Sequence, residues 1–329
     1  MTEAIVVENL VKVYPRVRAV DGISFAMPER EIFGLLGPNG AGKTTTIRIL
    51  LTLIRPTSGN VSVFGVDALA YPDKVREMAG YVPQDVSVDG EMTGYENILI
   101  YAKLYGMPGD QRKKRIKEVL EYLGLQDRAD SMVNTFSGGM MRRLELAQSL
   151  GNRPKMLFLD EPSIGLDPNA RSAIWERVMR LRDEFGTTIL LTTHDMAEAD
   201  ALCDRIGIMD AGKLAVIGKP SELKSAIGGE ILSIGSQAPN LPAVVRELGY
   251  STMGESSNGT VELLVTNGEA IIPRLLEDLR TKGIEIASVS LKKPTLDDVF
   301  LKHTGARIGE GGSWRQARMT RRTFRRLRG

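Results

Sequence analysis

Between an apolar strand at residues 31–36 and a segment of helical composition lies Gly37-Pro38-Asn39-Gly40-Ala41-Gly42-Lys43-Thr44. It constrains the local fold to a strand, a phosphate-binding turn and a helix, and alone it means only a nucleotide. It fits G-x-x-x-x-G-K-[ST] in the context that gives the pattern meaning, a strand before it and a helix after it. The glycines let backbone N–H groups wrap phosphate oxygens without Cβ clashes, and the helix N-terminus adds its positive dipole end. Lys43 is expected to neutralise the β- and γ-phosphates and Thr44 to offer its hydroxyl to Mg²⁺, with Thr45 next in the same cradle.

Downstream, Leu157-Phe158-Leu159-Asp160-Glu161-Pro162 reads as an apolar strand ending in two carboxylates. Asp160 is placed to reach Mg²⁺ through water. Glu161 points toward the space of an attacking water and is read as the general base. In isolation such a pair would be an ordinary acidic turn; behind a phosphate loop it reads as catalytic. Between the two motifs stands Thr135-Phe136-Ser137-Gly138-Gly139-Met140-Met141-Arg142-Arg143.

These motifs together resemble the ATP-binding-cassette (ABC) ATPases, over about residues 3–222. The resemblance implies a P-loop core, a parallel sheet plus an antiparallel β-subdomain with a helical signature lobe, that hydrolyses ATP to ADP and phosphate with Mg²⁺. It also implies several roles. Tyr14 matches the aromatic that stacks on adenine, and Gln84 matches the glutamine linking Mg²⁺ and the attacking water to the helical lobe. Ser163-Ile164-Gly165-Leu166-Asp167-Pro168 resembles the loop that crosses a dimer, bringing Asp167 into the nucleotide set, and His194 resembles the switch histidine at the γ-phosphate. The Ser137 hydroxyl and the Gly138 and Gly139 amides would serve ATP held by a second subunit, a homodimer partner or close paralogue. Phe136 and Met140 depart from the usual Leu-Ser-Gly-Gly-Gln, and the adjacent Met140 and Met141 read as a buried apolar patch beside the helix.

The rest of the chain fits this plan. With 329 residues it is long enough for more than one core. The expected division is residues 1–225 as the ATP-binding domain, with the helical lobe at about 90–150, then 230–304 as an accessory α+β domain and 305–329 as a basic tail. From 231 to 291 the rhythm is strand, helix, strand, strand, helix, strand, the order of a ferredoxin-like unit, with Asn258-Gly259 at a hairpin tip. The single cysteine, Cys203, excludes an internal disulfide and reads as a small buried residue. No secretion signal opens the sequence and no run of about 18 apolar residues occurs, so a cytoplasmic chain is expected, peripheral on the inner face of the membrane.

Residues 291–305, Leu291-Lys292-Lys293-Pro294-Thr295-Leu296-Asp297-Asp298-Val299-Phe300-Leu301-Lys302-His303-Thr304-Gly305, resemble the closing motif of ATPase subunits of daunorubicin-resistance-type exporters of drugs, antibiotics or lipids. That resemblance implies separate transmembrane permease subunits. A soluble ABC-type ATPase acting on nucleic acid or ribosomes is the alternative; one intact cassette without a long heptad insertion speaks against it, and no nucleic acid partner is expected. The net charge of +2 hides an asymmetry: residues 305–329 hold eight arginines against Glu310, which leaves the remainder at −5. Arg315, Arg318, Arg322 and Arg325 fall at helical spacing, a pattern suited to an anionic membrane surface.

Overall fold

The structure, a computed structural model, describes residues 2–255 and 259–305. Asn258 of the expected hairpin tip and the arginine-rich segment from 306 onward lie outside the described residues. The chain divides into two compact units at Pro220/Ser221.

In the first unit, β1 (Glu3–Tyr14) and β2 (Val17–Pro28) form a hairpin, and β3 (Ile32–Leu36) runs through the phosphate loop into α1 (Lys43–Leu50). Next come β4 (Ser58–Val63), β5 (Val66–Asp67), α2 (Pro72–Met78) and β6 (Ala79–Val82). Three helices follow, α3 (Gly94–Leu104), α4 (Gly109–Tyr122) and α5 (Gly138–Leu150). The chain then alternates through β7 (Met156–Asp160), α6 (Pro168–Phe185), β8 (Thr188–Thr193), α7 (Met196–Leu202), β9 (Arg205–Asp210) and β10 (Lys213–Gly218); α8 (Pro220–Ser225) begins at the division between the units.

Two sheets result. One is antiparallel, in the order β2-β1-β4-β5; the other has six strands in the order β10-β9-β3-β8-β7-β6. In the larger sheet β9, β3, β8, β7 and β6 run parallel and β10 joins antiparallel at the edge. The three central strands, β3, β8 and β7, are buried at every residue, as a parallel sheet covered on both faces requires of its sequence. Phe33, Phe158, Leu190, Ile47 and Met209 from this sheet and α1 share one core with Ile5, Val20 and Val61 of the antiparallel sheet. In the helical lobe, α3 begins with a capping box: the Thr93 hydroxyl accepts from the Glu96 amide while the Glu96 carboxylate accepts from the Thr93 amide.

The second unit comprises β11 (Glu230–Gly235), α9 (Leu241–Glu247), β12 (Thr252–Glu255), β13 (Thr260–Val265), α10 (Gly268–Thr281), β14 (Ser288–Lys292) and α11 (Leu296–Thr304). Its sheet is antiparallel, in the order β12-β13-β11-β14, which is the β-α-β-β-α-β arrangement expected from the sequence. The run from Ile284 to Leu291 reads as one strand in the sequence, but the last strand begins at Ser288. Ile284 is instead buried in the unit's core with Leu275 and Leu279 of α10, as part of the connection to the strand.

Candidate functional site

Parallel strands deliver their C-terminal ends to one edge of the sheet, where ligands of open α/β folds bind. Here β3 ends at the phosphate loop, β7 at Asp160 and β8 at Thr193. The pairing Leu36 with Thr193 and Asp160 with Thr192 brings the three ends level. The loop conformation depends on glycine at two places. A Cβ on Gly37 would lie 2.2 Å from the Met209 carbonyl oxygen, and Gly42, at φ 106°, would press a Cβ to 2.3 Å from that of Ala19.

Lys43 is 5% exposed, and its ammonium donates to the Gly37 and Pro38 carbonyls at 2.7 and 3.2 Å. The same ammonium is 3.2 Å from Glu161 Oε1. The other Glu161 oxygen, Oε2, lies 2.6 Å from His194 Nδ1. An ionised carboxylate only accepts, so Nδ1 donates and Nε2 is left for another partner. Lys43, Glu161 and His194 thus form one chain of contacts joining all three strand ends.

Glu161 holds this position in a left-handed conformation, φ 53°, which costs a side chain with a Cβ about 1–2 kcal/mol. Its amide is held in place by the Thr192 carbonyl and hydroxyl, both at 3.1 Å. Beside it, Asp160 Oδ1 accepts from Thr44 Oγ1 at 3.0 Å and from Thr192 Oγ1 at 2.5 Å. Asp160 Oδ2 is buried and receives no hydrogen bond from the described residues. A buried carboxylate oxygen left over next to a threonine hydroxyl is a donor set that fits Mg²⁺, a hard cation usually held by one or two carboxylates together with substrate phosphates.

The remaining expected residues sit elsewhere. Ser137 is the N-cap of α5, accepting from the Met140 amide at 3.3 Å, and with Gly138 it is exposed. No hydrogen bond joins Ser137, Gly138 or Gly139 to the phosphate loop. Gln84 is exposed in the loop after β6 and makes no hydrogen bond to Asp160 or Thr44. Tyr14, 36% exposed, ends β1 with the Lys12 ammonium 5.1 Å from its ring centre. Asp167 caps α6, accepting from the amides of Asn169 and Ala170 at 3.0 Å. Pro38, Asn39, Gly40, Ala41 and Thr45 all lie in the loop or the first turn of α1.

Met140 and Met141 do not form the buried apolar patch expected from the sequence: both are only half-buried, and the first side chains that α5 buries are Arg142, Leu144 and Glu145. Sequence reasoning also passed over Glu198, whose buried carboxylate accepts from Trp175 Nε1 at 3.0 Å and bonds Ser163 and Thr193, on either side of the site. Burial pushes its pKa up, against the lowering effect of those three hydrogen bonds.

Two family models match the chain: ABC transporter over residues 20–164, and the C-terminal domain of ATP-binding proteins like DrrA1-3 over 218–304. The chain is 41% identical to the daunorubicin/doxorubicin resistance ATP-binding protein DrrA of Streptomyces peucetius, across 92% of this chain and 93% of that one. It belongs to the ABC transporter ATP-binding proteins. A linearmycin resistance ATP-binding protein, LnrL of Bacillus subtilis, is 37% identical over 91% and 97% of the two chains. The Nod factor export ATP-binding protein I of Ralstonia nicotianae is 38% identical over 92% and 94%.

Among solved structures, an ATP-binding cassette captured as a post-hydrolysis dimer with ADP and Pi is 27% identical. It aligns with TM-score 0.60 over 65% of this chain and 98% of its own. The cbiO1 protein of Clostridium perfringens, part of the cbiONQ ABC transporter complex, is 26% identical. It aligns at 0.64 over 76% of this chain and all of its own. As a member of this family the chain binds ATP and is an ATPase.

Proposed function

We propose that this ABC ATPase powers export of a drug, antibiotic, lipid or similar substrate through separate transmembrane subunits, at the inner face of the membrane. The observation that carries the catalytic part is the contact chain Lys43–Glu161–His194 beside Asp160. Glu161 is the general base that takes a proton from the attacking water. Lys43 binds phosphate charge, and His194, fixed through Nδ1, presents Nε2 to the γ-phosphate. Asp160, Thr44 and Gln84 would hold Mg²⁺, which would supply positive charge to offset that of the transferring phosphoryl group. The backbone amides of Gly37, Gly40 and Gly42 with Thr45 cradle the phosphates, and Tyr14 stacks on adenine.

Ser137, Gly138, Gly139 and Asp167 act on ATP held by a second copy or close paralogue. Ser137 and Gly138 are exposed and make no hydrogen bond to the phosphate loop of their own chain, and one aligned cassette forms a dimer. Resistance and export names among the relatives support transport over an action on nucleic acid or ribosomes. No helix among the described residues is long and apolar enough to cross a membrane. A groove of about 230 Å³ lined by Leu51, Leu53, Tyr81, Tyr101 and Tyr105, with Leu53 and Tyr105 exposed, supports docking to a membrane subunit.

Glu161→Gln tests the central assignment, because the amide keeps shape and hydrogen bonding but cannot take the proton. Turnover is expected to fall by about 10²–10⁴ while MgATP still binds and dimers accumulate. Hydrolysis near the parent rate would remove Glu161 from the mechanism.

A further inference from the structure

Arg142 lies on α5 one turn after the signature glycines, 6% exposed, and every N–H of its guanidinium is engaged. Nε donates to the Pro162 carbonyl at 2.8 Å, and Nη2 donates to those of Asp160 and Glu161 at 3.2 and 2.9 Å. Nη1 donates to the Pro83 carbonyl at 2.7 Å and to Glu145 Oε2 at 2.8 Å. The other Glu145 oxygen accepts from the Ser87 amide and hydroxyl at 2.6 and 3.0 Å.

Three consecutive carbonyls centred on the left-handed Glu161 are therefore gathered onto one side chain of the signature helix. The loop carrying Gln84 is gripped on both sides, at Pro83 by Arg142 and at Ser87 by Glu145. Such a fork of donors matches a bend in the backbone in a way that a lysine or an apolar residue cannot. A buried pair used only for stability would bring little advantage over an apolar pair of similar volume. What this pair has instead is a connection to three functional segments at once.

We propose that Arg142, seated by Glu145, is a positioning residue that sets the Glu161 backbone and ties it to both the signature helix and the Gln84 loop, so that movement of α5 reaches the general base. This rests on the reading of Glu161 as that base. Loss of the fork should impair hydrolysis rather than nucleotide binding.

The test uses the purified full chain with Arg142→Lys, Arg142→Gln and Glu145→Gln, each also combined with Glu161→Gln. Thermal melts, MgATP affinity, kcat and KM are read for each. The expected result is that kcat falls 30-fold or more in the Arg142 variants and less in Glu145→Gln, with MgATP affinity within about threefold of the parent. In the Glu161→Gln background the same substitutions should add less than threefold, since they act through a group already disabled. Arg142→Lys with kcat within threefold of the parent overturns the proposal. So does a parallel loss of affinity, melting temperature and kcat, or a full multiplicative loss in the double variants. If an Arg142 variant does not fold, Glu145→Gln, nearly isosteric, decides: a kcat loss of more than about threefold at unchanged MgATP affinity supports the proposal, and kcat within about threefold of the parent overturns it. Glu161→Gln alone retaining parent turnover would instead defeat the general-base reading, which keeps the two failures apart.

Discussion

Glu198 shows how a single carboxyl can tie the site to pH. It is buried where the loop after Glu161 meets the residues before His194, held by Trp175, Ser163 and Thr193. Burial raises its pKa above the ordinary 4.5, so the native state keeps a proton that the unfolded chain has already released. Over the window upward from about 4.5 the folded state binds more protons than the unfolded one. The contribution is therefore complete below that value and declines as pH rises through the folded-state pKa. Glu198→Gln mimics the protonated form at every pH. The parent's stability relative to this variant should fall as pH rises through the window, read as the difference between paired urea titrations from pH 4.5 upward. A difference that stays flat with pH would mean that Glu198 does not titrate there.

The same scale explains what the sequence disclosed and what it hid. Gly37–Thr44, Asp160 and Glu161 were legible because their chemistry is local: a glycine loop after a strand and acids at a strand end carry their meaning within a few residues. Arg142 and Glu145 were not, since two charged residues three apart on a helix ordinarily read as a solvated face. Their burial is set by carbonyls some 18 to 59 positions away, at Asp160, Glu161, Pro162 and Pro83, which no local pattern encodes.

Between elements, Gly139 has a packing task besides the amide role proposed for it. A Cβ on Gly139 would stand 2.8 Å from the Cβ of Ala170, so α5 and α6 approach as closely as glycine permits. The obstructing atom is itself a Cβ on a helix and cannot rotate away, so one helix must shift. Overpacking of this kind costs about 1–3 kcal/mol, which outweighs the gain of up to about 1 kcal/mol from replacing glycine by alanine within a helix. Gly139→Ala should lower stability by about 1–2 kcal/mol, measured in urea through the fluorescence of Trp175 on α6. Adding Ala170→Gly should return part of that loss by making room on the facing helix. Element order was legible in both units because apolar runs and helical periodicity are themselves local. The start of β14 was not: Ile284 belongs to the core whether it stands in a strand or in the turn before it, and only the pairing with β11 distinguishes the two.

For the whole molecule the charge distribution matters more than the net value. Eight arginines after Gly305 face a single glutamate, while the preceding chain is net negative. An arginine near an anionic lipid surface contributes about 1 kcal/mol, so engagement of even half of the eight would change affinity by on the order of a thousandfold. Stopping the chain after Gly305 keeps the C-cap of α11, where the Gly305 amide donates to the Leu301 carbonyl at 2.8 Å, and leaves every proposed nucleotide-binding residue in place. The shortened protein is expected to hydrolyse ATP in solution at the parent rate. On vesicles containing anionic lipid it should bind more weakly than the full chain and with a shallower dependence on salt, because screening acts on the charges that were removed. On vesicles of neutral lipid alone the two proteins should not differ. Equal affinity and equal salt dependence on anionic vesicles would show that the arginines do not engage the membrane surface.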